Sequence, residues 1–277
     1  MAVSIRKATR DIFKDKDFLS KYTVLVILAF CVGLLSFAMI AKNNMWILVS
    51  LPFYILAGII LNGYYIKYTH NLMDNENSGL PSIVKENLLE YFPIGLRYFI
   101  ATAAFLAINS LAVISLMILI SFLAKIYNLL IVLIILPIIY EIVLLLYIFV
   151  GLPGLIYNFI ESNYSILSFF EIKKVLSHLS VNYFISLFYL SILNLGIFFM
   201  TQCSIMRIRY ALLLIIPLML SPIVALITDN LMAQAYRSNK TSEEGSIAKM
   251  SISLLCLIIL SIVLAVGYFI IKLKFGL

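Results

Sequence analysis

An amphipathic stretch opening on Ser-Ile, a long apolar run, a tight hairpin and a second apolar run follow one another three times in this chain, beginning near Ser4, Ser82 and Ser165. From those serines to the tyrosines that open the next apolar run (Tyr22, Tyr98 and Tyr183) is 18, 16 and 18 residues. Crossing a bilayer core takes an apolar run of about 20 residues. Seven stretches qualify: 22–41, 45–66, 98–123, 127–150, 183–203, 210–229 and 251–271. The pattern predicts an all-α integral membrane protein of about seven transmembrane helices. Three pseudo-repeated helical hairpins, each preceded by an amphipathic interfacial helix, are followed by a C-terminal helix. Residues 1–236 form the three-hairpin membrane domain, 237–250 a cytoplasmic linker and 251–277 the C-terminal transmembrane helix.

Composition agrees. Hydrophobic residues are 64% of the chain and charged residues 12%, with mean hydropathy +1.10, so little is left for a soluble domain. Twenty residues, mostly charged or amphipathic, precede the first apolar run. That run is of full length and lacks a cleavage pattern, so it is expected to stay as a span. Lysine and arginine near the helix ends set orientation. With the N-terminus inside, the inner segments hold 14 of them and the outer side six: Lys42, Lys125, Arg207, Arg209, Lys272 and Lys274. The expectation is an N-terminus in the cytoplasm and a C-terminus outside, in a prokaryotic plasma membrane. The net charge of +7 then reads as positive-inside topology and attraction to anionic lipid headgroups, not as nucleic-acid binding. Cys31, Cys203 and Cys256 show no metal spacing or evident disulfide pairing and read as small packing residues.

The first amphipathic stretch places Ile5, Ala8, Ile12 and Phe13 on one face and Arg6, Lys7, Arg10 and Lys14 elsewhere. This is the pattern of a helix lying in the interface with its cations toward phosphates. The second, Ser82 to Phe92, sets Val84, Leu88, Tyr91 and Phe92 against Lys85, Glu86 and Glu90. The third, Ser165 to Leu179, sets Phe169, Ile172, Val175, Leu176 and Leu179 against Glu171, Lys174 and His178. Two readings stand: an interfacial collar around the bundle, or loop helices each packed on its own hairpin. In the collar, Arg6, Lys7, Arg10, Lys14, Lys173 and Lys174 contact lipid headgroups. Five of the seven prolines (Pro52, Pro137, Pro153, Pro217 and Pro222) lie in or at the ends of even-numbered helices, which are expected to bend. The odd helices contain none.

Gly63-Tyr64 closes the second apolar run, a polar loop follows, and then come Leu80-Pro81 and Phe92-Pro-Ile-Gly95. Together with Phe169-Phe170-Glu171-Ile172 leading to Tyr183, these motifs resemble the prokaryotic membrane family catalogued as domain of unknown function 4013. The resemblance covers roughly residues 10–236. Lys67 stands where that family often has a basic residue, while the aromatic that often follows the Leu-Pro has no clear counterpart. The family implies a multi-helix membrane protein and no reaction, so no catalytic residue is carried over.

Glu141, inside the fourth apolar run, is the sharpest single residue. A carboxylate at membrane depth costs a few kcal/mol and is a functional candidate. Equally, it could satisfy the carbonyl freed by Pro137. Asn109 and Asn194 read as interhelical hydrogen-bonding groups, and Asn62 and Asp229 lie near inner helix ends. His70 and His178 lack metal spacing, Asp74-Asn-Glu76 reads as a solvated loop, and neither a nucleophile elbow nor a phosphate-binding loop is present. No cofactor and no metal are expected. The reading is a non-catalytic scaffold or accessory subunit with a membrane-protein partner. The alternative is a small transporter or lipid-handling protein using Glu141 and the kinked even-numbered helices.

Overall fold

A computed structural model describes residues 3–40, 44–75, 79–83, 85–127, 153–206 and 214–241. The expected spans at 127–150 and 251–271, with Glu141, Glu76 and Cys256, lie outside the described residues. Helix α1 runs Ile5–Phe13, α2 Phe18–Ile40, α3 Asn44–Asp74 and α4 Lys85–Tyr127. Residues 153–161 form α5. A 3-10 turn at Ile166–Phe170 then leads to α6, Ile172–Ser177, α7, Val181–Met206, and α8, Ile215–Thr241. Among the described residues there is no strand.

Four helical stretches are long and apolar enough to cross a membrane: Phe18–Met39, Asn44–Asp74, Leu88–Leu111 and Ile215–Lys240. The expected span at 183–203 falls within α7. Only 17–39% of the residues in the apolar windows of those four are buried, so their side chains mostly face outward, as lipid contact requires. The buried core lies instead at one end, where α1, residues 79–83, α5, the 3-10 turn and the last turns of α3 and α8 meet. It includes Ile12, Tyr64, Tyr68, Leu72, Phe159, Phe169 and Leu231. We call this the α1 end.

The helices outrun their apolar stretches. Helix α3 continues eight residues past the expected boundary to Asp74 because Tyr64, Tyr68 and Leu72, at i, i+4 and i+8, keep one face buried. Similarly, α8 is helical through residues 237–241, where a linker was expected.

The three amphipathic stretches also differ from expectation. The first is a separate helix, capped by the Ser4 hydroxyl accepting from the Lys7 amide at 3.3 Å. Its apolar face docks on the bundle, with Ala8 and Ile12 fully buried, while Phe13 is exposed. The Ser4 amide donates to Gln234 Oε1 on α8 at 2.9 Å. The second is no separate helix, but the first turns of the 43-residue α4. Pro93 therefore lies inside a helix that was expected to hold no proline. The third breaks at Glu171 into a 3-10 turn and a short helix, because Phe169 turns inward against Tyr98, Phe105 and Phe159. The chain enters that turn through Asn163 and Tyr164, both at positive φ (52° and 63°). Such a conformation costs roughly 1–2 kcal/mol per non-glycine residue. The Tyr164 hydroxyl, 2.5 Å from His70 Nδ1, and the Tyr164 amide on the Phe159 carbonyl at 2.7 Å hold it there.

Helices α3 and α4 cross backbone to backbone. A Cβ on Gly63 would stand 1.9 Å from the Tyr91 carbonyl oxygen, and one on Gly95 would stand 1.8 Å from that of Ile59. Glycine inside a helix costs about 1 kcal/mol against alanine, but only glycine allows this approach. Gly63→Ala or Gly95→Ala is therefore expected to destabilise the chain by about 3 kcal/mol or more, since backbone cannot yield as a side chain can. Gly58 and Gly196, whose added Cβ would meet nothing within 4 Å, serve as controls. Alanine there should change stability by less than about 1 kcal/mol. Thermal unfolding in lipid nanodiscs checks both, and wild-type stability of Gly63→Ala would refute the crossing.

Candidate functional site

At the α1 end the charged and polar groups form bonded clusters, and one Asp229 oxygen has no partner among the described residues. In the first cluster, Asp15 ends the turn after α1 and Lys21 lies in the first turn of α2. Lys21 Nζ donates to both Asp15 oxygens at 3.0 and 2.9 Å. Asp15 Oδ2 also accepts from the Leu80 amide at 2.9 Å, and Lys21 Nζ donates to the Leu80 carbonyl at 2.8 Å. The ion pair thus grips both backbone groups of one residue in the 79–83 segment. Its side chains are only 8% and 13% exposed, so it is less screened than a surface pair. Burial pushes the Asp15 carboxyl up, but Lys21 and the backbone amides outweigh it and hold the group below the ordinary carboxylate range.

The second cluster joins α5, α6 and α8. Glu161 accepts from the Tyr236 hydroxyl at 2.6 Å and pairs with Lys174 at 3.0 Å. His178 Nε2 lies 2.9 Å from Asn158 Oδ1 and 3.9 Å from Glu161 Oε2. An amide oxygen only accepts, so Nε2 carries a proton, and the Asn158 amide donating to the Glu171 carbonyl at 3.4 Å agrees with that orientation. The imidazole packs between the rings of Tyr157 and Tyr236, at 5.4 and 5.9 Å. Burial pulls His178 below the usual histidine range, against the pull of Glu161. Burial raises Glu161, but the Tyr236 hydroxyl, Lys174 and His178 outweigh it and leave it low.

The third cluster runs inward from α1. Gln234 accepts from the Ser4 amide and donates to Asn230 Oδ1 at 2.8 Å, and Asn230 donates to the Tyr68 hydroxyl at 3.3 Å. The Arg237 guanidinium donates to the Leu72 carbonyl at the end of α3.

Asp229, beside Asn230, stands apart. Its Oδ2 is sealed from solvent and has no hydrogen-bond partner among the described residues. None of the described ion pairs includes it. Position in the sequence alone placed Asp229 near a helix end; in the structure it lies within α8 and is partly exposed as a residue, with Oδ2 itself sealed.

Of the residues singled out from the sequence, Arg6, Arg10, Lys14 and Lys173 are exposed, and Lys7 is partly so. Ser4, Arg6, Lys7 and Arg10 line a shallow cavity of about 370 Å³. Lys174 is drawn into the ion pair with Glu161. Asn109 and Asn194 donate back along their own helices, to Phe105 at 2.7 Å and Leu190 at 2.9 Å. Asp74 pairs with His70 at 3.3 Å. Among the described residues no three His, Cys, Asp or Glu side chains group as a metal site. Sequence reasoning dismissed His178 for want of a paired ligand; its partners come from other segments. No family model, no curated protein and no solved structure matches the chain.

A pH dependence follows. With His178 held low, the folded chain binds fewer protons than the unfolded one. Its contribution to stability is complete above the unfolded value of about 6.5 and is lost as pH falls through the folded value. Asp15 and Glu161 are also depressed, so their contributions persist to lower pH, complete above about 4 and lost beneath it. The melting temperature should therefore begin to fall as pH drops below about 6.5, before the carboxylates titrate. His178→Gln should shrink that first step without removing it, because His70, likewise lowered by burial, is present in both chains. An unchanged slope in that window would show that burial does not hold His178 neutral.

Proposed function

We propose that this chain is a non-catalytic scaffold or accessory subunit of a prokaryotic plasma-membrane assembly. In this reading it has seven spans in three related hairpins plus one, with its N-terminus in the cytoplasm and its C-terminus outside. The motifs around Gly63, Leu80 and Gly95 support placing it with the family catalogued as domain of unknown function 4013. One observation carries the functional reading. At the α1 end the bonded clusters tie the chain to itself, whereas α3 and α4 turn large apolar side chains outward. Met45, Trp46, Leu48 and Phe53 on α3 and Leu111, Ile118 and Phe122 on α4 are each more than half exposed. A body stiffened at one end and apolar along its sides suits lateral assembly in a membrane, where close packing supplies association. The exposed cations of α1, with Lys173, supply contacts to anionic headgroups.

Native mass spectrometry of the chain extracted in native lipid nanodiscs tests this. A stoichiometric protein partner is expected. The chain alone, carrying lipid or a small molecule, would sink the scaffold reading.

The rival, a small transporter or lipid-handling protein, draws support from Pro52 and Pro222 inside α3 and α8. Helices interrupted by proline can serve gating. On that reading Glu141→Gln abolishes a transport or lipid phenotype at normal expression, and an unchanged phenotype removes Glu141 from it.

A further inference from the structure

We infer that the cavity on α1 holds the headgroup of one anionic phospholipid, and that filling it tightens α1 on α8. The inference rests on the headgroup contacts proposed above and deepens them, from a diffuse attraction to one site of fixed stoichiometry. The first observation is the lining. Ser4, Arg6, Lys7 and Arg10 surround about 370 Å³. Arg6 and Arg10 stand one helical turn apart, so they share a side of α1, and both are exposed. Three cations in little more than one turn repel one another, and the first turn of α1 holds no acid. The pair between Arg10 and Asp11 is long, at 3.8 Å, and exposed, so it offsets little of this. An arriving phosphate offsets it better, because a guanidinium can take two phosphate oxygens at once.

The second is depth. The chain passes from α1 to α2 through a tight turn, in which the Asp15 amide donates to the Ile12 carbonyl at 3.3 Å and the Phe18 amide to the Asp15 carbonyl at 3.1 Å. Phe18 opens the stretch Phe18–Met39, long and apolar enough to cross a membrane. Phe13 and Leu19, on either side of that turn, are 53% and 74% exposed. Large apolar side chains facing outward at the start of a span, with arginines a turn or two away, set α1 where acyl chains give way to headgroups. The anion within reach at that depth is a lipid phosphate.

The third is the attachment of the cavity to the bundle. Gln234 of α8 holds both backbone groups of Ser4: the Ser4 amide donates to Oε1 at 2.9 Å, and the Ser4 carbonyl accepts from Nε2 at 3.4 Å. Ala8 and Ile12, on the side of α1 opposite Arg6 and Arg10, are fully buried. Docking therefore aims the arginines away from the bundle before any lipid arrives, and little ordering remains to be done on binding. Coupling of this kind is reciprocal. A lipid that prefers docked α1 favours docking by the same factor.

Two measurements on the full chain test this. In the first, native mass spectrometry follows titration with phosphatidylglycerol or with phosphatidylcholine of the same acyl chains. One phosphatidylglycerol per chain is expected to bind before any further molecule, and in preference to phosphatidylcholine, whose choline cation the arginines repel. Arg6→Gln and Arg10→Gln should each weaken that first binding about fivefold. Lys14→Gln removes an exposed cation of the same helix that does not line the cavity, and should leave it nearly unchanged. In the second, hydrogen exchange of the α1 amides is compared in nanodiscs with and without phosphatidylglycerol. The lipid is expected to slow exchange severalfold in the wild type and much less in Arg6→Gln. Equal weakening by Lys14→Gln and Arg6→Gln overturns the site and leaves only the diffuse contacts. Phosphatidylglycerol held no better than phosphatidylcholine overturns the site and those contacts together, whereas the scaffold reading falls only if no protein partner is found. Inorganic phosphate that displaces the lipid and slows α1 exchange equally overturns the lipid as occupant. Unchanged exchange with the lipid bound overturns the tightening of α1.

Discussion

The backbone contact between Gly63 and Gly95 is the constraint on which the rest of the α1 end depends. Lipid gives apolar helices no hydrophobic reason to associate, so they pack where their backbones can approach closely. With α3 and α4 in contact, Tyr64 and Tyr91 meet edge to face at 5.4 Å. Their hydroxyls then reach the Pro81 and Ser82 carbonyls, at 3.3 and 2.6 Å. Those two bonds hold Pro81 and Ser82 in place and bring both backbone groups of Leu80 to Asp15 and Lys21. A methyl group at either glycine would part the helices and break this sequence at its first step.

The bonded clusters work differently. A single hydrogen bond contributes about 1 kcal/mol net, and one between membrane helices averages about 0.6 kcal/mol. No one link from Ser4 through Gln234 and Asn230 to Tyr68 is therefore decisive. Their weight lies in the cost of leaving a buried partner unmet, which is larger than the gain of making the bond. The network specifies where α1 sits on α8; the crossing and the aromatic packing supply the energy that keeps it there.

Much of this architecture was legible in the sequence. The apolar run at 22–41 overlaps α2 up to its end at Ile40, the run at 45–66 falls within α3, and the motif residues Gly63, Tyr64, Leu80 and Gly95 prove to be neighbours in one joint. What the runs could not reveal was where the helices end. Apolarity marks the part of a helix that meets lipid, while Tyr68, Leu72, Tyr91 and Tyr236 prolong helical burial beyond it by packing on other segments. The three Ser-Ile stretches looked alike in spacing, yet became a docked helix, the start of a long helix and a broken turn. Each answers to a different neighbour, and amphipathic periodicity records only that a face will be covered, not by what. The same limit applies to Asp229 and His178, whose surroundings come from residues distant in the chain.

Among the acidic groups near this end, the contrast between Asp15, Glu161 and Asp229 is the informative one. Asp15 and Glu161 lie at helix ends, where long lysine side chains can reach them and water is close. Each is held below the ordinary carboxylate range by such neighbours. Asp229 sits mid-helix, and none of the described ion pairs includes it. A carboxyl without a counter-ion escapes the cost of desolvation either by pairing or by taking up a proton, so the lack of a partner does not by itself call for a cation.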